Sequence, residues 1–132
     1  MIFLPDTNAC ISLLRQRNPK LIARWHATKA SDMTLCSVVI YELRHGAERS
    51  SNLVGEHAKL DAFLGAFTSL PFDDNSARKC AEIRRDLERT GRVIGPHDLQ
   101  IAAIALQHGL ILVTHNTQEF GRISGLRLED WE

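Results

Sequence analysis

No Cys-x-x-Cys pair occurs in the sequence, and its three cysteines, Cys10, Cys36 and Cys80, are odd in number and far apart. That spacing speaks against a disulfide framework and a zinc–thiolate site, and leaves the thiols as small core residues. Among the six histidines no His-x-x-x-His spacing occurs, so a zinc site of that type is not expected either. No apolar run reaches the length of a membrane span. Nothing ahead of Asp6 resembles a secretion signal, and a reducing, cytoplasmic setting is the expectation. Net charge is also lacking, with 16 basic against 16 acidic residues. The balance argues against a general nucleic-acid coat protein but not against a nuclease, in which local basic surface offsets a pocket of carboxylates. Repeats, low-complexity tracts and Gly/Ser linkers are missing too, so residues 1–132 read as a single domain.

What is present is ordinary globular composition, 44% apolar and 24% charged. A chain of this length buries about two-thirds of its unfolded surface, enough for a core without staples. The patterning alternates. "IFLP" is a short strand, and Asn8 to Arg17 reads as a helix with Ile11, Leu13 and Leu14 inward. Pro19 opens a second helix running to about Thr28. "MTLCSVV" is a second strand, followed by helices from about Ser37 to Glu48 and from Asn52 to Phe67, the latter with Leu53, His57, Leu60 and Leu64 at helical spacing. "SLPF" is a strand. Asn75 or Ser76 is a candidate cap for a helix ending before Gly91, and Pro96 opens another to His108. "LILVT" is a continuous apolar run, as in a strand covered on both faces, and "GLRLEDW" supplies a last strand. Strands alternating with helices predict an α/β fold with a mostly parallel sheet, whose binding sites form beyond the carboxyl ends of the strands.

Four polar positions fall at such places: Asp6 after the first strand, Glu42 early in the third helix, Asp98 in the helix after "GP", and Asn116 after "LILVT". Each has an ordinary structural explanation. Asp6, Thr7 or Asn8 can cap a helix, and Asp98 can complement a helix dipole. Glu42 can face solvent and Asn116 can close an Asx-turn. Together, three acids and an amide beside near-continuous apolar sequence are costly to bury without partners. One Mg²⁺ or Mn²⁺ ion, or two about 3.5–4 Å apart, would offset that cost and serve phosphoryl chemistry.

"LPDTNACISLL", "SVVIYELRHGA" followed by Ser50 and Ser51, "IGPHDLQIAAIALQHGLILVTHNTQEF" and "GLRLEDW" together resemble the PIN-domain ribonucleases, and more narrowly the VapC toxins of bacterial toxin–antitoxin pairs. The resemblance spans nearly the whole chain. It implies a three-layer α/β/α PIN-like fold and Mg²⁺- or Mn²⁺-dependent endonucleolytic cleavage of a structured RNA such as tRNA. It also implies a homodimer within a larger toxin–antitoxin complex, and a cognate VapB-like antitoxin whose C-terminal segment covers the acidic pocket. Asp6 and Asp98 match the principal metal-binding acids, Glu42 the helix acid, and Asn116 the fourth position, often Asp in the family. Thr7, Asn8 and Thr114 match hydrogen-bonding positions around those acids. Two departures stand out. Asn116 carries no charge, with Glu119 three residues on read as a first-turn surface acid, and Pro5 stands where an aliphatic residue is usual.

Substrate grip requires cations. Arg78, Arg85, Arg89 and Arg92 form one stripe, either a phosphate-tracking edge or a solvated face laced by Glu82 and Asp86. Two other classes compete with this reading: a catalytically inactive PIN-like module that binds RNA or protein, and a phosphotransferase on a similar sheet. A phosphatase of the haloacid-dehalogenase type wants Asp-x-Asp where this chain has Asp6-Thr7-Asn8. A receiver domain wants a lysine that "VTHNTQEF" lacks.

Overall fold

A computed structural model describes residues 1–132. Five short strands, β1 (Phe3–Pro5), β2 (Thr34–Cys36), β3 (Thr68–Leu70), β4 (Ile111–Val113) and β5 (Arg127–Glu129), all pair in parallel. Seven helices connect and cover them: α1 (Thr7–Leu14), α2 (Pro19–Ala27), α3 (Ser37–Glu48), α4 (Leu53–Leu64), α5 (Asp74–Arg89), α6 (Pro96–Gln107) and α7 (Thr117–Phe120). The β1–β4–β5 and β2–β3 ladders are joined by a parallel bridge between Phe3 and Met33, beside which the Ile2 N–H donates to the Asp32 carbonyl at 2.7 Å. The resulting order is β3-β2-β1-β4-β5, the central layer of an α/β/α sandwich. The chain reverses its direction of progress between β1 and β4, and such a switch point opens a crevice at the carboxyl edge of a parallel sheet.

Local chemistry explains the elements. Asp6 caps α1 through the Ala9 N–H at 2.8 Å, and Asn18 caps α2 through Leu21 at 3.0 Å, with Pro19 in the first turn. The cap of α5 is Asp73, accepting from the Ser76 N–H at 2.8 Å, rather than Asn75 or Ser76. That helix starts earlier than its apolar pattern indicates, because a cap is set by the first orphan N–H groups and not by the buried face. Gly91 and Gly109 follow α5 and α6 with φ of +68° and +63°, a conformation that side-chain-bearing residues resist. In α6, Leu99 and Ile101 to Ala105 are all buried, as expected of a helix apolar on every side. In α4, Leu53 is exposed, and the buried face is carried by Leu60 with Phe63 and Leu64. The β3 strand is Thr68–Leu70, so Pro71 and Phe72 of "SLPF" lie beyond it.

An aromatic cluster closes one end. The Trp131 ring lies 5.2 Å from Phe3 and 6.2 Å from Trp25, which in turn meets Phe63 and Phe67, and the Arg24 guanidinium lies 4.8 Å from Trp131. The buried indole fixes the segment after β5, and thereby Asp130 and Glu132, against the sheet. Cys10 and Cys36 are buried, Cys80 half-buried, and all three are free thiols. Burial pushes the Cys36 thiol up to about 11, which makes it an inert core residue. No helix is long and apolar enough to cross a membrane.

Candidate active site

The crevice at the switch point is where Asp6 sits. Its backbone N–H donates to the Val113 carbonyl at 2.9 Å, which extends the β1–β4 ladder and places the side chain between the two strand ends. The carboxylate is 5% exposed. One oxygen accepts from the Ala9 N–H, and the other accepts from the Thr114 hydroxyl at 2.6 Å. Capping and site duty therefore coincide in one residue. Burial raises the Asp6 pKa from 3.8 to about 6, against the lowering effect of these two hydrogen bonds, and the Asp98 and Glu132 charges add to the rise.

Other acids surround it. Asp98, half-buried in the first turn of α6, has its pKa raised by burial and then by Glu42 and Glu119, with His97 opposing. Glu42, on α3, accepts from the Thr7 hydroxyl at 2.5 Å and lies 3.5 Å from Nδ1 of His97. Glu119 is not the surface acid expected from its place in the first turn of α7. It is half-buried and faces Asp98, and it accepts from the Asn116 amide at 2.9 Å. The Asn116 amide thus holds the Glu119 carboxylate in place. The Asn116 N–H donates to Thr114 Oγ1 at 3.0 Å, so a single hydroxyl links Asp6 to the loop that carries Glu119. The Glu119 contribution follows from the one-turn geometry of α7, with the Asn-x-x-Glu spacing its only trace in the sequence. The Thr7 hydroxyl donates to Glu42 and the Thr114 hydroxyl to Asp6, whereas Asn8 is exposed and makes no side-chain hydrogen bond.

No lysine or arginine pairs with Asp6, Glu42, Asp98 or Glu119; the basic groups near them are two imidazoles, His97 beside Glu42 and His115, whose pKa the Asp6 charge helps to raise. Desolvated carboxylates without a cationic partner are unfavourable, and an oxygen donor set of this kind fits a divalent cation. The ring is looser than direct coordination by Asp6, Glu42 and Asp98 together would require, since one trio of acid and imidazole donors lies within 4.8 Å of one another and it is His115, Asp130 and Glu132. Asp6 and Glu42 are instead each tied to a threonine hydroxyl and Glu119 to the Asn116 amide, while Asp98 makes no side-chain hydrogen bond. Mg²⁺ tolerates this spacing because it keeps several waters and binds through one or two carboxylates.

The His115 trio lies on the same sheet edge, beyond β4 and β5. It adds a second donor set that the sequence spacing hid, because 15 residues separate His115 from Asp130. His115 Nδ1 lies 3.0 Å from Asp130, whose hydrogen bond raises the imidazole pKa. A cation there must displace that pairing, whereas at Asp6 and Asp98 no pairing exists to be lost. The chain therefore presents donor groups that can hold a metal ion.

The four arginines do not gather at the acids. Arg78 and Arg89 make exposed pairs with Glu82 and Asp86 at 4.0 and 3.8 Å, Arg85 and Arg92 make none, and all four lie outside the cleft that adjoins Glu42.

Comparison with known proteins agrees with this architecture. The PIN domain family model matches residues 3–126. The tRNA(fMet)-specific endonuclease VapC of Shigella flexneri is 38% identical over 129 residues, covering 98% of this chain and 97% of that protein. DNA-bound VapBC from Salmonella typhimurium superposes with a TM-score of 0.93 at 35% identity, covering 100% of this chain and 99% of that one. VapBC2 from Rickettsia felis, bound to a DNA fragment from its promoter, gives 0.91 at 31% identity over the full length of both chains.

Proposed function

This chain belongs to the PIN-domain family and is a VapC-type toxin of a toxin–antitoxin system, and from that premise we propose that Asp6, Glu42, Asp98 and Glu119 hold Mg²⁺ or Mn²⁺ for the hydrolysis of a tRNA phosphodiester, with initiator tRNA as the substrate. It is a metal-dependent endoribonuclease partnered with an antitoxin. The observation that carries the site assignment is the pair of desolvated carboxylates, Asp6 and Asp98, which have no lysine or arginine partner and lie at the sheet's switch point with Glu42 near them. The initiator-tRNA substrate is supported by the 38% identity to a tRNA(fMet)-specific enzyme over nearly the whole chain.

The residues divide the work. Thr114 and the Ala9 N–H fix both oxygens of Asp6, so its remaining lone pairs face the crevice. Asn116 aims Glu119, and Thr7 aims Glu42. The bound cation supplies charge, acidifying water and offsetting the negative charge that grows on the phosphoryl oxygens. His97, beside Glu42 and 44% exposed, is positioned to donate a proton or a hydrogen bond to a phosphate at the rim. For an inhibitor, an antitoxin arginine or lysine entering the ring would replace the missing cationic partner. A homodimer fits the exposed Leu53 and Val54 at the start of α4, of which Val54 is 85% exposed.

The test is cleavage of initiator tRNA by the purified chain with Mg²⁺ or Mn²⁺ and with EDTA, alongside 5′-end mapping of cellular RNA after brief expression. Asp6→Ala and Asp98→Ala are expected to abolish cleavage while remaining folded. Cleavage retained by both variants would reject the assignment.

A further inference from the structure

We propose that Tyr41 is a base-stacking residue that holds an unpaired nucleotide next to the cleaved phosphate, with Arg15 and Arg49 binding the phosphates further along the same cleft. The proposal rests on the nuclease function above and adds the subsite that selects the flanking nucleotide.

A cleft of about 1010 Å³ runs from Glu42 and His97 to Arg15 and Arg49. Tyr41 precedes Glu42 on α3, so the ring stands at the rim of the acidic ring. It is 53% exposed, yet it is held by edge contacts with His97 at 5.2 Å and His45 at 6.3 Å. A ring so braced loses little freedom on binding, and a base gains a stacking surface about as good as any side chain offers. The same His97 lies 3.5 Å from Glu42, which couples the aromatic platform to the catalytic edge.

Charge identifies the occupant. Arg15 and Arg49 have no carboxylate within 4.0 Å, although the chain holds as many acids as bases, while Lys59 in the same cleft is paired with Glu56 at 3.3 Å. Glu42 at one end joins the cleft to the acids that await a cation, and the guanidiniums of Arg15 and Arg49 await anions. A strand of RNA satisfies both, placing one phosphate at the metal and the next ones at the arginines. A duplex would keep its bases stacked on each other, so the nucleotide at Tyr41 comes from a single-stranded loop.

The experiment uses the full chain freed of antitoxin and carrying Asp98→Asn, so that RNA is bound without being cut. Labelled stem–loop RNAs, each with one loop base removed to leave an abasic ribose, are titrated in EDTA by fluorescence anisotropy. Tyr41→Ala is expected to weaken the intact RNA roughly ten-fold, the loss of one base–aromatic stack, while Tyr41→Phe retains affinity. The Tyr41→Ala loss should vanish for one abasic position and persist at the others. Arg15→Ala and Arg49→Ala should weaken every RNA alike and flatten the salt dependence. Parent-like RNA affinity in Tyr41→Ala, or an equal loss with every abasic RNA, would overturn the proposal. So would loss of antitoxin binding with RNA binding intact, which assigns the cleft to protein. An uncleaved initiator tRNA with the Tyr41 pattern present would instead refute the substrate and leave this subsite standing.

Discussion

Replacing Asp6 by asparagine should make the metal-free protein more stable at neutral pH. Asparagine can keep the cap on α1 by accepting from the Ala9 N–H, and its amide can donate to the Thr114 hydroxyl, which is free to rotate. What disappears is the charge. The Asp6 pKa rises from 3.8 to about 6 on folding, and at about 1.4 kcal/mol per pH unit the ionised carboxylate costs about 3 kcal/mol at pH 7. The sign follows from proton uptake. Between pH 4 and 6 the folded chain binds more protons than the unfolded one at this residue, so its contribution to stability falls as pH rises through that window. Below about pH 4 both states hold the proton and the cost is gone. Urea unfolding of wild type and Asp6→Asn in EDTA, followed from acid to neutral pH, should show a difference that is small near pH 4 and grows to as much as about 3 kcal/mol by pH 7. Added Mn²⁺ should reverse the ranking, since ion at a thousand times Kd stabilises the wild type by about 4.1 kcal/mol, more than the charge costs, whereas the variant has lost a ligand. If Asp6→Asn is the less stable protein at pH 7 without metal, or the difference does not change with pH, the idea of an unpartnered charge at the switch point is wrong.

Thr114→Val keeps the buried shape but removes the hydroxyl shared by Asp6 and the Asn116 N–H; Mn²⁺ affinity measured by calorimetry should drop about 10- to 100-fold, with Thr114→Ser restoring it. Glu119→Gln should weaken Mn²⁺ binding and lower the Asp98 pKa seen by NMR, because one of the charges that raise it is gone; a surface acid would leave both unchanged. Trp131→Ala empties the contact between Phe3 and Trp25 and should cost about 3–5 kcal/mol in denaturant unfolding, a loss well beyond that of a frayed terminus.

Much of the site was legible because its acids sit at strand ends and helix starts, where the sequence marks itself with apolar runs, Pro96 and a polar cluster. Asp6 and Asp98 fall where an α/β sheet opens. The half-burial of Glu119 is not legible in the sequence because exposure is the ordinary fate of a helical glutamate, and only the fold brings its charge within reach of Asp98. The cap of α5 was misplaced for a similar reason, since Asp73, Asn75 and Ser76 are all good caps and the choice depends on where the chain leaves β3. His115 and Asp130 could not be paired from spacing, because their meeting is a consequence of β4 and β5 being neighbours.

By itself the sequence determined the alternation of strands and helices and the set of polar residues that had no ordinary reason to cluster, but not every buried face, since Leu14 of α1 and Leu53 of α4 are exposed while Ala9 and Cys10 are buried. Periodicity and turn chemistry are local, so they survive in one dimension. The tertiary structure alone decided which acids share a field, which hydroxyl ties them together, and that no lysine or arginine reaches them. Those are through-space relations among residues up to 108 positions apart, and they exist only once the β1–β4 switch point has brought two distant strand ends side by side.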